Sequence, residues 1–175
     1  MAHWLWKDLR SLFEVDDGSL PEVCVTYVDV EAPSRAFALL RDSASSVLGI
    51  PTFWSIADER DCPVASVPNA AVLVCRGAAE SFHVVLEGVR SRDVTLPDLG
   101  VFVFPDQLAL DYRMGSEWTP VRVEAFFALL ADLAAFDPRA RISLPEGCVP
   151  EDAARFQNAW PRWSSLQGTP PDSVA

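Results

Sequence analysis

The chain predicts an α+β fold, a mostly antiparallel sheet of about five or six strands with helices packed on one face. Apolar strand-like runs grouped in the middle, turn residues between them and helical periodicity at either end are the observations that predict it. Apolar periodicity stops near Trp163. Residues 1–163 are therefore expected to form a single domain, and residues 164–175, dominated by Ser, Gly and Pro, a disordered tail.

Trp4 to Val15 spaces Trp4, Leu5, Leu9, Leu12 and Phe13 as a short helix does, with a run-on into a strand as the alternative. Asp16-Asp17-Gly18-Ser19 is a hairpin-type turn, because Asp-Gly supplies the positive φ that tight turns need. Glu22 to Val28 alternates Val23, Val25 and Tyr27 with Glu22, Cys24 and Thr26, which predicts a strand with two unlike faces. Pro33 suits the first turn of a helix that carries Phe37, Leu39 and Leu40 through Ser43. Thr52 to Ile56 is a further strand, and Asp58 to Pro63 a polar loop. Ala70 to Cys75 is an unbroken apolar run that predicts a strand covered on both faces, paired in a hairpin with Phe82 to Glu87.

Val101–Phe104 and Leu108–Tyr112 flank Pro105-Asp106-Gln107, a loop of the length that joins antiparallel strands. Thr119-Pro120 places a capping hydroxyl and a first-turn proline ahead of the strongest helix, in which Val123, Phe126, Phe127, Leu130 and Ala134 keep one face apolar. Such a helix belongs across a sheet face. Arg141 to Leu144 adds an edge strand, and Pro150 opens a last short helix holding Phe156 and Trp160 and broken by Pro161.

The chain holds 25 Asp and Glu against 14 Lys and Arg, a formal charge of -11, with Lys7 the only lysine. An acid excess of this size attracts basic partners and repels nucleic acid and anionic membrane. Although Trp4, Trp6, Trp54, Trp118, Trp160 and Trp163 could stack bases, stacking also needs a basic groove for phosphates. No apolar run approaches the ~20 residues of a membrane helix, and the N-terminus lacks a secretory apolar region. A cytoplasmic protein is expected. Cys24, Cys62, Cys75 and Cys148 form no CxxC pair and are expected as reduced structural thiols.

No nucleophile motif, phosphate loop or metal-ligand run is present, so neither enzyme activity, a cofactor nor a metal is expected. His83 sits on the face opposite Phe82 and Val84, and Glu87, four residues on, is too far along the strand to orient it. A hydrogen-bonded structural histidine is expected there. The carboxylates cluster as Glu14-Asp16-Asp17-Glu22, as Asp58-Glu59-Asp61, and as Asp106 with Asp111. None follows the ligand order of a calcium loop, so they are solvated turns or a partner-binding patch.

Asp111 to Trp118 is the strongest functional loop, because Trp, Tyr and Arg supply most interface energy. Trp118 is there either an interface anchor or a packing staple before the Thr119 cap, and Tyr112 either a contact residue or a core one. The candidate partner-binding residues are Asp16, Asp17 and Glu22 at one turn and Asp111, Tyr112, Arg113, Glu117 and Trp118 at the other.

Through Asp17-Gly18-Ser19-Leu20-Pro21-Glu22-Val23 and Pro105 to Gly115, the chain resembles small α+β immunity proteins of bacterial polymorphic-toxin, contact-dependent and type VI secretion systems. The likeness spans Glu14 to Ala135 and rests on layout, acidity and these two phrases; no functional residue carries over position by position. It implies stoichiometric neutralisation of a cognate toxin by occlusion of its active site. A basic toxin cleft would meet carboxylates where phosphates otherwise sit, and complementary fields would speed the encounter. The alternatives are an acidic secretion chaperone for an effector and a carboxylate-dependent enzyme.

Overall fold

Every second side chain of the central strands points to one fully buried face of the sheet. In the computed structural model, which describes residues 3–167, ten strands and five α-helices form. Strands β1 (Glu22–Thr26), β2 (Ser46–Val47), β5 (Phe82–Glu87), β8 (Leu99–Val103), β9 (Gln107–Tyr112) and β10 (Arg141–Ser143) make a six-stranded antiparallel sheet in the order β10-β1-β9-β8-β5-β2. Val23 and Val25, Leu108 and Leu110, Val101 and Val103, and Val84 and Leu86 all point to its buried side. That side is covered by helices. The other carries Glu22, Thr26, His83, Val85, Glu87, Phe102 and Gln107, all half-exposed.

Helix α4 (Pro120–Ala134) is capped by Thr119, whose hydroxyl accepts from Arg122 N at 3.3 Å. Its residues are buried almost all round, because the sheet lies on one side while α1 (His3–Leu9) and α5 (Pro150–Gln167) close over it. Phe127 meets Phe156, Trp160 and Trp163 of α5 at ring-centroid distances of 5.6, 5.8 and 5.7 Å. Helix α2 (Ala32–Ser43) begins with Pro33 in its first turn, as its sequence predicts, and packs on the short α3 (Ala70–Cys75).

Several expectations are corrected. The 70–75 run is helix α3 rather than a strand: Asn69 Oδ1 accepts from Ala71 N at 3.1 Å at its start, and Gly77, with φ of 68°, ends it. The hairpin proposed for it therefore does not form, and Phe82–Glu87 pairs instead with β8 and β2. Helix α5 continues through Pro161 to Gln167, because its aromatic face is buried against α4 and outweighs the lost backbone bond. Residues 164–167 are thus helical, and the rest of the expected tail lies outside the described residues. The opening segment passes from α1 into a single 3-10 turn, Arg10–Leu12, and no strand follows. Gly18 has the expected positive φ of 84°, but with no strand before it the turn makes no hairpin.

Two further ribbons flank the sheet. Strands β3 (Thr52–Ser55) and β4 (Arg60–Pro63) form a hairpin out of what reads as a strand and a polar loop, and β6 (Arg90–Ser91) pairs with β7 (Val94–Thr95). No helix among the described residues is long and apolar enough to cross a membrane.

Candidate functional site

The two acidic loops singled out in the sequence meet in space. Arg113 Nε lies 3.1 Å from Asp16 Oδ2, Gly115 N donates to Phe13 O at 2.8 Å, and Glu22 stands directly opposite Asp111 across β1 and β9. Beside this junction a cleft of about 530 Å³ opens between the β1 entry turn and the β10–α5 loop. Its walls mix the apolar Leu20, Pro21, Met114, Leu144 and Val149 with the carboxylates of Asp17, Glu22, Glu146 and Asp152. Leu20 and Val149 are exposed although apolar, at 59% and 58%. An apolar floor with an acidic rim suits a lysine or arginine side chain, which packs its alkyl stem and presents its charge to carboxylates.

The turn itself is ordered by its own acids. Asp17 accepts from Ser19 N at 2.9 Å and Ser19 Oγ at 2.6 Å, and these bonds hold its carboxyl below the usual range. Asp16 Oδ1 takes Gly18 N at 3.0 Å. Glu117 lies apart from the cleft: its charge and that of Glu87 act on Asp98, whose carboxyl is raised first by burial and then by these two neighbours.

Three of the sequence-derived candidates are placed where no partner can reach them. Tyr112, 1% exposed, stacks on Phe13 at 5.0 Å and donates its hydroxyl to Leu12 O at 3.2 Å. Trp118, 3% exposed, contacts Phe13, Tyr112 and Phe126 and donates Nε1 to Arg113 O at 2.8 Å. Both belong to the core because the loop folds its aromatic residues inward against α4, leaving Arg113 and Glu117 outside. Asp111 is buried as well, its carboxylate turned away from Glu22.

That carboxylate reaches diagonally across β8 to His83, with Asp111 Oδ2 at 2.8 Å from His83 Nε2. A carboxylate only accepts, so Nε2 carries the proton. Gly100, the residue between them on β8, makes the crossing possible: a Cβ built there would approach the carboxylate closer than 3.0 Å. His83 also lies 4.2 Å, centroid to centroid, from Phe102. The orienting acid is thus Asp111, not the Glu87 weighed in the sequence; the register of the 101–112 hairpin was the signal that could have found it.

For covalent catalysis an acid-oriented histidine needs a side-chain nucleophile within hydrogen-bond reach. Cys24 is three strands away from His83, about 14 Å at the usual strand spacing. Burial, with Glu22 beside it, pushes its thiol up to about 11, so it stays protonated at neutral pH. The four cysteines are unpaired. Among the described residues no three His, Cys, Asp or Glu side chains gather closely enough to hold a metal ion.

A second, larger cleft of about 720 Å³ lies between α1 and α5, and its walls carry four cations, Lys7, Arg10, Arg155 and Arg162, beside the carboxylates of Asp8 and Glu14. Ser11 borders both clefts. The chain matches no protein-family model, no curated protein and no solved structure. Glu146 and Asp152, which complete the acidic cleft, were not among the residues the sequence singled out. They reach it only because β10 returns to pair with β1 and delivers the following loop beside the first turn.

Proposed function

We propose that the chain is a binding protein that takes a basic side chain of a partner protein into the acidic cleft, in the manner of an immunity protein neutralising a cognate toxin by stoichiometric occlusion. The observation that carries this reading is the convergence of Asp17, Glu22, Glu146 and Asp152 on one apolar-floored cleft beside the Arg113–Asp16 pair. The contact residues become Asp16, Asp17, Glu22 and Arg113 from the original set, joined by Glu146 and Asp152. The cytoplasm, where an immunity protein would meet an incoming toxin, is the proposed compartment.

The same convergence favours, as the second reading, a carboxylate-dependent enzyme. A general acid at neutral pH needs burial to keep its proton. Here Asp17 and Glu146 are exposed, and Asp17 is held toward its charged form. Exposed, ionised carboxylates serve binding better than proton transfer.

The test is co-purification with the product of the neighbouring gene, followed by expression of that product alone and together with this chain. Toxicity alone, relief on co-expression, and loss of relief in the Glu22→Lys, Glu146→Lys double variant support the proposal. Relief that survives both reversals would remove the cleft from the mechanism, and a harmless, non-binding product would remove the immunity reading. The association rate should also fall with added salt, because steering charges are screened beyond about 8 Å at physiological ionic strength.

A further inference from the structure

The basic cleft is built by two facing helical stripes. Trp4, Lys7, Asp8 and Ser11 follow the i, i+3, i+4, i+7 spacing along α1 and its closing turn, and Arg155, Asn158, Ala159 and Arg162 repeat that spacing on α5. With Arg10 and Glu14 at its rim, the concavity gathers the only lysine of the chain and three arginines against two carboxylates, Asp8 and Glu14, in a protein of net charge -11.

The four cations are not equally engaged. Arg162 lies 3.9 Å over the Trp4 ring and 3.7 Å from Asp8 Oδ2, and Arg10 stands 4.0 Å from Glu14, which lines the cleft with it. Among the described residues, Lys7 and Arg155 pair with no carboxylate. Arg155 Nη1 donates instead to Ser11 Oγ at 3.0 Å, and Ser11 passes its own proton toward Asp152 Oδ1 at 3.4 Å. The guanidinium is thus tethered by a neutral group and keeps donors for another acceptor. Trp4 beneath Arg162 holds that second guanidinium in place.

We propose that this cleft binds a small multivalent oxyanion of the phosphate-ester class. Its volume falls within the range of small-molecule sites. Arg supplies forked donors that match phosphate oxygens, and Lys7 adds a point charge. A polynucleotide is disfavoured because the net charge of -11 repels an extended polyanion. The proposal goes beyond the partner-binding reading, whose cleft lies on the other side of Ser11 and is joined to this one by the Arg155–Ser11–Asp152 bonds.

Titration calorimetry of the full chain with inorganic pyrophosphate at low ionic strength, against sodium chloride of matched ionic strength, tests it. Saturable binding tighter than ~1 mM is expected. Lys7→Gln and Arg155→Gln should each weaken it by about tenfold, as loss of a hydrogen bond to a charged group does. Because Lys7 is the only lysine, its acetylation followed by mass spectrometry gives a second readout, and pyrophosphate should protect it. Heats equal to the chloride control, unchanged affinity in both variants, or no protection of Lys7 would overturn the proposal. A single-stranded oligonucleotide that binds more tightly through the same two residues would overturn the small-ligand assignment.

Discussion

Replacing Gly100 by alanine adds one methyl group where the Asp111 carboxylate now lies, and both carboxylate oxygens would be closer than 3.0 Å to it. Either the carboxylate swings away and gives up the 2.8 Å bond to His83, or β8 and β9 separate locally. The first outcome drives Asp111 toward Glu22, directly opposite on β1, where like charges destabilise a sheet. Overpacking of this kind costs about 1–3 kcal/mol. Alanine's smaller chain entropy in a strand works the other way by roughly 0.5–1 kcal/mol. A net loss of about 1–2 kcal/mol is therefore expected for Gly100→Ala. The assay is urea unfolding followed by tryptophan fluorescence, run as a double-mutant cycle with Asp111→Ala. With the carboxylate gone, the same methyl group should be neutral or stabilising, so the coupling should exceed about 1 kcal/mol. An equal cost of Gly100→Ala in both backgrounds, or no cost in either, would refute the carboxylate-crossing explanation.

Trp118→Ala should lower stability by about 3–5 kcal/mol, as truncation of a buried aromatic does, and a melting curve should show it before any binding assay does. A protein that melts normally but loses its partner would return Trp118 to the interface. Asp137, 2% exposed, accepts from the backbone N–H of Asp29, Arg139 and Val28, which with the Arg139 charge lower its carboxyl from 3.8 to about 2. Its folded value lies below its unfolded one, so its stabilisation is full above the unfolded value and is lost as pH falls from 3.8 through about 2. Asp137→Asn should lower the urea midpoint at neutral pH and flatten its dependence across that window; an unchanged pH profile would contradict the assignment.

Elements whose local signals agree were legible in the chain. Thr119-Pro120 with the Val123, Phe126, Phe127, Leu130 stripe specifies α4 from cap to buried face, and the 101–112 hairpin follows from two apolar runs around a short turn. The helix at Ala70–Cys75 was framed by Asn69 and Gly77, yet an unbroken apolar run of that length fits a strand equally well. Packing against α2 decided it. Pro161 breaks a helix in isolation, but the contacts of Phe156, Trp160 and Trp163 with Phe127 hold α5 together around it.

Composition by itself determined the sign of the molecule's net charge. Periodicity determined the α+β class. Neither determined where the charges would stand. Glu146 and Asp152 join Asp17 and Glu22 because β10 pairs with β1, and His83 meets Asp111 because three antiparallel strands align them across a glycine. Lys7 and Arg155 share a cleft because α1 and α5 lie side by side over α4. Each of these meetings joins residues far apart in the chain, and local spacing holds no information about which distant surfaces burial of the core will bring together.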